Sequence, residues 1–149
     1  MKTRRKFIKN SLIAGTGLAM SPALSFGQNL SNSQDKLKLA FIGVGGRGRS
    51  HLGNALNRKD VEITAICDID PLAVKKTIGM IDKAGFGKPV VYDKNELDYL
   101  NLLENKDVDA VIISTPWLWH ARMTKDAMEA GIYAGVEVSA ANTLEECWD

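Results

Sequence analysis

Residues 38–70 read KLAFIGVGGRGRSHLGNALNRKDVEITAICDID, and this stretch decides the fold. An apolar run ends at Ile42, and glycines follow it at positions 43, 45, 46 and 48. Apolar residues then recur at helical spacing through Leu56, and a second apolar run over residues 61–67 ends at Asp68. The order of strand, glycine turn, helix, strand and acid predicts a βαβ unit that binds a dinucleotide.

Each glycine of the G-x-G-x-x-G pattern has its own expected role. Gly43 lets the chain turn sharply off the first strand, and Gly45 leaves room where a pyrophosphate approaches the backbone. Gly48 lets the helix lie close to the sheet, while the helix N-terminus supplies N–H groups and a partial positive charge. Because a lone glycine pattern also occurs in ordinary turns, the prediction depends on the complete unit around it.

Asp68 indicates which dinucleotide is bound. It follows Gly48 by about 20 residues, where a carboxylate at the end of the second strand accepts hydrogen bonds from a ribose diol. A 2′-phosphate would be repelled there, and neither Ile69 nor Asp70 could bind it. The predicted cofactor is therefore NAD rather than NADP. A methyltransferase also uses a glycine loop and an acid after its second strand, so that class is a rival interpretation.

The composition suits one soluble α/β domain, with 149 residues of which 45% are hydrophobic and 25% charged. Residues 1–27 carry five basic and no acidic side chains, so without them the formal net charge of +1 becomes −4. This mild acidity, without a basic stripe, argues against nucleic acid as a partner. No mature segment is long enough to span a membrane. Cys67 and Cys147 are too far apart to suggest a metal site, and we expect a buried Cys67 and a helical Cys147.

The first 27 residues are predicted to be a twin-arginine signal peptide. Arg4 and Arg5 precede Phe7, and a short, glycine-diluted apolar segment covers residues 12–24. Small residues at positions 23, 25 and 27 offer cleavage sites. An ordinary secretory signal and an uncleaved anchor are the alternatives. The sequence thus predicts the twin-arginine export machinery as a partner and a periplasmic location, with residues 28–36 as a polar linker.

Strand and helix patterns alternate from residue 37 to residue 149. Strands are predicted at 38–43, 61–67, 89–92, 110–113 and 132–138. Helices are predicted at 47–58, 71–84, 94–105, from about 120 to Ala130, and from Asn142 or Thr143 onward. The pattern predicts a Rossmann-like, doubly wound parallel sheet. Because the last helix has barely begun at Asp149, we expect a longer protein whose substrate domain is missing here.

Local signals add detail to these helices. Asp70, Asp93 and Thr143 are expected N-caps, with Glu146 completing a capping box, and Gly131 is expected to end the helix before it. The expected buried positions are Leu97, Leu100 and Leu103 in the third helix and Met123, Ala127 and Ala130 in the fourth.

Residues 37–149 resemble the Gfo/Idh/MocA superfamily of NAD(P)-dependent oxidoreductases. The resemblance is carried by the glycine loop, C-D-I-D at 67–70, Thr115-Pro116 with His120, and Glu137. Most dehydrogenases of this family read Glu-Lys-Pro where this chain has Glu137-Val138-Ser139, and that lysine helps to move the substrate's hydroxyl proton. The patterns G-x-G-G-R-G, T-P-W-x-x-H and T-L-E-E-C-W are instead similar to the branch with the family 109 glycoside hydrolases, which are NAD-dependent α-N-acetylgalactosaminidases.

The resemblance implies a role for each matching residue. The pyrophosphate would be surrounded by Gly43, Gly45, Gly46, Arg47 and Gly48, and the adenosine ribose would meet Asp68. Ser114, Thr115 and Trp117 would line the cofactor, His120 would lie near its nicotinamide half, and Glu137 would lie at the nicotinamide ribose. As alternatives, Trp117 and Trp119 pack without a ligand, and His120 only begins a helix. His51 is expected to be structural and to face solvent, and Trp148 to lie in the core or between domains.

The activity implied by the resemblance is glycoside cleavage without net redox change. The sugar would be oxidised transiently at carbon 3, lose a proton from carbon 2 and its aglycone from carbon 1, add water, and regain the hydride. The general base and other catalytic residues are not identified, and no metal is expected. The alternatives are a sugar oxidoreductase of the same family and a non-catalytic nucleotide-binding fragment. A sugar or glycoside is the expected substrate, no stable membrane anchor is expected, and a homo-oligomeric full-length form stays open.

Overall fold

Five apolar segments form one parallel sheet in the computed structural model, which describes residues 36–148. The strands are β1 (Leu37–Ile42), β2 (Val61–Cys67), β3 (Val90–Tyr92), β4 (Ala110–Ile113) and β5 (Tyr133–Val136). Their order across the sheet is β3-β2-β1-β4-β5, and every neighbouring pair is parallel. The predicted Rossmann-like doubly wound sheet is therefore confirmed. The predicted signal peptide and nearly all of the predicted linker lie outside the described residues.

Helices cover both faces of this sheet. They are α1 (Gly46–Leu56), α2 (Pro71–Lys83), α3 (Asp98–Leu103) and α4 (His120–Glu129), and a 3₁₀ turn, Trp117–Trp119, precedes α4. One apolar cluster lies between the sheet and α1 and α2, including Phe41 and Leu52. The other lies on the opposite face with α3 and α4, including Tyr99 and Ile113. Burial of both faces explains why the central strands are almost continuously apolar. Among residues 36–148, no helix has the length and hydrophobicity needed to cross a bilayer.

The start of α2 and the end of α4 follow the sequence signals. The Asp70 carboxylate accepts a hydrogen bond from the backbone N–H of Leu72 at 2.9 Å, and Pro71 occupies the first helical position. Gly131 has a φ of +78° just beyond α4, as expected of a residue that closes a helix. Met123 and Ala127 are buried as predicted, whereas Ala130 is exposed because it already lies at the C-cap.

The prediction for the third helix is wrong at its start. The helix was expected to begin near residue 94 with Asp93 as its N-cap, but α3 begins at Asp98. The Asn95 side chain accepts a hydrogen bond from the Leu97 N–H at 2.9 Å, and the Asp98 carboxylate accepts one from the Lys94 N–H at 3.0 Å. These side-chain bonds favour a turn over another turn of helix. The shift also changes the buried face: Leu103 is buried as predicted, but Leu97 and Leu100 are exposed. The other buried residues of α3 are Asp98, Tyr99 and Leu102.

The predicted capping box is formed, but a helix does not follow it within the described residues. The Thr143 hydroxyl accepts from the Glu146 N–H at 3.2 Å, and the Glu146 carboxylate accepts from the Thr143 N–H at 3.1 Å. The chain from Leu144 to Trp148 nevertheless forms turns only. Cys147 is therefore not helical, and Trp148 is 85% exposed rather than part of this domain's core.

Candidate functional site

The predicted site residues follow strands that end together. The last residues of β1, β2, β4 and β5 pair in one row of the sheet: Ile42, Cys67, Ile113 and Val136. The next residue of each strand therefore lies along the carboxyl edge of the sheet: Gly43, Asp68, Ser114 and Glu137. The strand order reverses between β1 and β4, and in open α/β sheets this is where a ligand-binding crevice forms.

A cleft of about 260 Å³ opens at this edge. Five of the predicted residues line it: Gly43, Gly45, Asp68, Ser114 and Thr115. The lining also includes residues that were not predicted: Ile69, Asn95, Glu96, Trp119 and Met123. Asn95 and Glu96 come shortly after β3, so the rule that ligands bind beyond the carboxyl ends of strands could have found them.

Gly43 makes the turn that sends the chain off β1. Its φ is +82°, and its N–H donates to the Cys67 carbonyl at 2.8 Å. A Cβ atom at this position would lie 2.8 Å from the Ser114 carbonyl carbon and oxygen. Both the left-handed conformation and the contact with the β4 loop therefore require glycine.

Gly45 and Gly46 border open space. A Cβ atom at either position would have no heavy atom within 4 Å among the described neighbours. Helix α1 starts here without a side-chain cap, since Gly45 is its N-cap residue. The first N–H groups of α1 thus have no capping side chain, and these are the groups that bind phosphate in dinucleotide sites.

Asp68 connects the glycine loop to the end of β2. Its Oδ2 accepts a hydrogen bond from the Val44 N–H at 2.7 Å, and its Oδ1 accepts one from the Asp70 N–H at 2.9 Å. An ionised carboxylate offers about four acceptor positions, so each oxygen keeps capacity for a further donor. The carboxylate is thus oriented by the backbone and still able to accept hydroxyl donors from the cleft.

The loop after β4 lines the cleft with Ser114 and Thr115. The Ser114 Oγ is inaccessible to solvent and has no hydrogen-bond partner among the described residues. The Thr115 hydroxyl donates to the sulfur of Met123 at 3.5 Å. A buried hydroxyl without a partner is costly, so the Ser114 side chain fits a position that a ligand atom completes.

His120 lies behind this loop rather than in the cleft. Its ring is 1% exposed, with Nε2 at 2.8 Å from the Thr115 carbonyl oxygen and Nδ1 at 2.8 Å from that of Ser139. The imidazole therefore joins the loops that follow β4 and β5. Both ring nitrogens already contact backbone oxygens. The direct contact between His120 and the cofactor that the resemblance implies therefore stays a prediction.

The two tryptophans near His120 differ in their surroundings. Trp119 lines the cleft and packs edge-on against Tyr99, with 6.3 Å between the ring centroids. Trp117 is 67% exposed, and its side chain does not line the cleft. The structure thus places Trp119 rather than Trp117 in the lining of the cleft, and a contact of Trp117 with the cofactor stays a prediction.

Glu137 contacts helix α1 across the edge of the sheet. Its Oε1 accepts a hydrogen bond from His51 Nε2 and forms an ion pair with Arg47 Nε at 3.1 Å. The hydrogen bond from His51, followed by the charge of Arg47, holds the pKa of the Glu137 carboxyl below its usual value. His51 was expected to be structural and to face solvent; its side chain is 36% exposed, and its ring binds a residue 86 positions away.

Cys67 closes the inner end of the cleft. Burial raises the pKa of its thiol to about 12, and the nearby carboxylates of Asp98, Asp68 and Asp93 act in the same direction. A thiol with this pKa stays protonated at neutral pH and is a poor nucleophile. As predicted, Cys67 is a buried side chain.

Residues 37–148 match the Gfo/Idh/MocA family model, described as "Oxidoreductase family, NAD-binding Rossmann fold". The chain belongs to this family. As a Gfo/Idh/MocA domain it is an NAD-binding Rossmann domain, so the predicted resemblance, the fold and the cofactor are all confirmed.

Within the family, two curated relatives show which branch this chain is similar to. A glycosyl hydrolase family 109 protein of Parabacteroides distasonis is 42% identical over an alignment of 160 positions, gaps included, which covers 99% of this chain and 34% of that protein. The α-N-acetylgalactosaminidase of Tannerella forsythia is 40% identical over an alignment of 163 positions, which covers 99% of this chain and 35% of that protein. The resemblance to family 109 is therefore confirmed. This chain spans about a third of the length of these relatives.

Solved structures of the family share the fold. The myo-inositol dehydrogenase of Lactobacillus casei, in complex with NAD(H) and myo-inositol, is 26% identical with a TM-score of 0.65. The match covers 76% of this chain and 31% of that one. The myo-inositol 2-dehydrogenase of Lactobacillus plantarum is also 26% identical, with a TM-score of 0.62 over 75% of this chain and 31% of that one.

The residues at the cleft fit the nicotinamide cofactor of the family. Open space above Gly45 and Gly46 leaves room for two phosphates next to the uncapped start of α1. Asp68 presents oriented acceptors of the kind that a ribose diol requires, and Ser114 presents a hydroxyl that lacks a partner among the described residues. The roles of the individual residues toward the cofactor stay predictions.

Proposed function

We propose that this domain serves an NAD-dependent glycosidase of the family 109 type, which acts on α-N-acetylgalactosaminides in its full-length form. The similarity to relatives that bear this activity in their names carries the proposal. Two of them are about 40% identical over nearly all of this chain, whereas the inositol dehydrogenases are 26% identical over about three quarters of it.

The end of β5 favours the same proposal over a simple dehydrogenase. Glu137 is followed by Val138 and Ser139, so the lysine that the resemblance leads one to expect at 138 is replaced by an apolar residue. The Val138 side chain is 79% exposed and has no group that could move a proton. A group elsewhere in the full-length protein must therefore accept the substrate's hydroxyl proton, also in the transient oxidation of the proposed cycle.

The chain's own residues would bind and orient the cofactor. The glycine loop and the start of α1 would bind the pyrophosphate, Asp68 would accept hydrogen bonds from the adenosine ribose, and Ser114 would donate or accept at the inner wall. His120 would keep the two loops beyond β4 and β5 at a fixed distance. When bound, NAD supplies a hydride acceptor and, once reduced, a hydride donor.

The test uses the full-length protein that carries this domain, incubated with an aryl α-N-acetylgalactosaminide. We expect steady release of the aglycone at substoichiometric NAD, without accumulation of NADH, because the cycle has no net redox change. The matched control is the Gly45→Val variant, which should release none. Accumulation of NADH without release of aglycone would instead favour the sugar oxidoreductase. The same assay on the 149-residue chain tests the non-catalytic alternative, which predicts NAD binding without formation of either product.

We also propose that the protein is exported to the periplasm by the twin-arginine route with NAD already bound. The Arg4-Arg5 pair and the dinucleotide fingerprint together support this, since that route carries folded proteins and a compartment without free NAD favours an enzyme that regenerates its own. Replacing Arg4 and Arg5 with lysine keeps the charge of the leader but removes the guanidinium pair. We expect this variant to stay in the cytoplasm and the exported wild type to release NAD on denaturation. Normal export of the variant, or exported protein free of nucleotide, would contradict the proposal.

A further inference from the structure

One carboxylate oxygen at the end of β5 contacts two side chains of α1. Glu137 Oε1 lies 3.1 Å from Arg47 Nε and accepts a hydrogen bond from His51 Nε2. Arg47 and His51 are four residues apart on one face of the helix, so a single acceptor can reach both. The Glu137 side chain is only 19% exposed, whereas that of Arg47 is 67% exposed. The carboxylate is thus the fixed member of the group and Arg47 the member that projects outward.

The contact between Arg47 and Glu137 is an ion pair through Nε. No hydrogen bond from the two Nη nitrogens of Arg47 is present within residues 36–148. The attraction keeps the guanidinium beside Glu137, while the planar fork of donors stays available to a ligand. Arg47 is the second residue of α1, directly after Gly45 and Gly46, whose surroundings are open. The Nη donors of Arg47 therefore belong to the turn of α1 that borders the expected position of the pyrophosphate.

We propose that Glu137 is a positioning residue that holds the Arg47 guanidinium over the glycine loop for the pyrophosphate of the cofactor, and that His51 keeps the Glu137 carboxylate in place. The inference rests on the proposed binding of NAD at this cleft. Holding an arginine in one geometry before the ligand arrives removes part of the ordering cost of binding. Glu137 would thus act through Arg47 rather than by contact with the nicotinamide ribose, which is the role implied by the family resemblance.

The two possible roles of Glu137 predict different effects of its replacement on the binding of ADP and of NAD. ADP contains the pyrophosphate but lacks the nicotinamide ribose, whereas NAD contains both. If Glu137 acts through Arg47, replacing Glu137 lowers the affinities for ADP and NAD by the same factor. If Glu137 contacts the nicotinamide ribose, replacing it lowers the affinity for NAD and leaves the affinity for ADP unchanged.

The experiment measures the affinities of the 149-residue chain for ADP and NAD by calorimetry. The variants are Glu137→Gln, Arg47→Gln and the double variant, and Glu129→Gln on the exposed end of α4 is the charge-matched control. We expect Arg47→Gln to weaken both ligands roughly tenfold, as the loss of a charge-assisted hydrogen bond does. Glu137→Gln should weaken both by roughly threefold to tenfold, and the double variant should bind like Arg47→Gln. Glu129→Gln should bind like the wild type.

Several outcomes would overturn the inference. An unchanged affinity for ADP in Glu137→Gln would contradict it, and so would losses that add in the double variant. Melting curves of each variant without ligand separate a loss of folding from a loss of binding. If the wild type bound neither ADP nor NAD, the proposed function would fail together with the inference. If the wild type bound ADP and NAD, and Glu137→Gln bound both with wild-type affinity while Arg47→Gln bound them weakly, the inference alone would fail.

Discussion

Gly48 of α1 lies against the carbonyl of Gly43, so closely that a Cβ atom on Gly48 would stand 1.9 Å from the Gly43 oxygen. The third glycine of the fingerprint is thus in contact with the first. This contact brings the start of α1 up to the turn that leaves β1, and the same helix carries Arg47 and His51 toward Glu137. The position of α1 at the cleft therefore requires a residue without a side chain at position 48.

Gly48→Ala should destabilise the domain, because neither backbone segment can give way to the new methyl group. We expect the free energy of unfolding to fall by about 1–3 kcal/mol or more, measured by urea denaturation. Gly53, also in α1, is the matched control, since a Cβ atom there would meet nothing within 4 Å. Gly53→Ala should raise the free energy of unfolding by about 0.5–1 kcal/mol. Equal stability of the two variants would contradict this account of the contact.

Gly45→Val should abolish NAD binding while the fold survives. The surroundings of Gly45 are open and its φ is −64°, so a valine side chain meets no protein atom near its Cβ. It would instead fill the space above the loop that the pyrophosphate needs. Calorimetry and a melting curve together check both parts of the prediction, and wild-type affinity would show that this glycine serves only the turn.

Asp68→Ala should weaken NAD binding by about 2–3 kcal/mol through the loss of charged hydrogen bonds to the ribose. The carboxylate also accepts the Val44 N–H at 2.7 Å, so the variant should melt at a lower temperature even without ligand. Asp68→Arg should begin to admit NADP, because the charge that repels a 2′-phosphate is reversed. Titrations with NAD and NADP check this, and unchanged NAD affinity in both variants would remove Asp68 from the ribose.

The parts of the fold that follow local rules could be predicted from the sequence. Strand β2 has the predicted bounds, Val61–Cys67, because a mostly apolar run, interrupted by Glu62 and Thr64, lies between two aspartates. The cap at Asp70 is equally local, since its carboxylate binds a backbone N–H two residues later. The glycine loop was recognisable because steric and phosphate-binding requirements coincide within a few residues.

The remaining features depend on contacts that local patterns do not contain. The pair of His51 and Glu137 joins residues 86 positions apart, and only the order of β1, β4 and β5 brings them together. The late start of α3 results from competing side-chain bonds at Asn95 and Asp98, which helical periodicity does not report. The place of Trp119 in the cleft lining depends on the path of the 3₁₀ turn Trp117–Trp119, which the sequence pattern does not report.

Cys67 and Cys147 should differ strongly in their reaction with iodoacetamide. Burial raises the pKa of the Cys67 thiol to about 12 and its side chain is 5% exposed, whereas Cys147 is exposed. We expect alkylation of Cys147 within minutes and of Cys67 only on unfolding, measured by mass spectrometry of peptides. Because Cys67 lines the cleft, NAD should slow any residual reaction at Cys67 and leave Cys147 unchanged. Alkylation of Cys67 in the folded protein at a rate equal to or above that of Cys147 would contradict the assignment of Cys67 as a buried, protonated thiol.

Glu137→Gln should lower the melting temperature in a pH-dependent way. The pKa of Glu137 lies below its ordinary value of 4.5, first because of His51 and then because of Arg47. A carboxyl whose pKa is lowered by folding stabilises the folded state above its ordinary pKa, and this contribution is lost as the pH falls through the lowered value. The wild type should therefore melt above Glu137→Gln near neutral pH, and the difference should shrink below pH 4.5. In a His51→Gln background the difference near neutral pH should be smaller, because the largest cause of the shift is gone. A difference between wild type and Glu137→Gln that is independent of pH would show that packing, and not the carboxylate charge, joins β5 to α1.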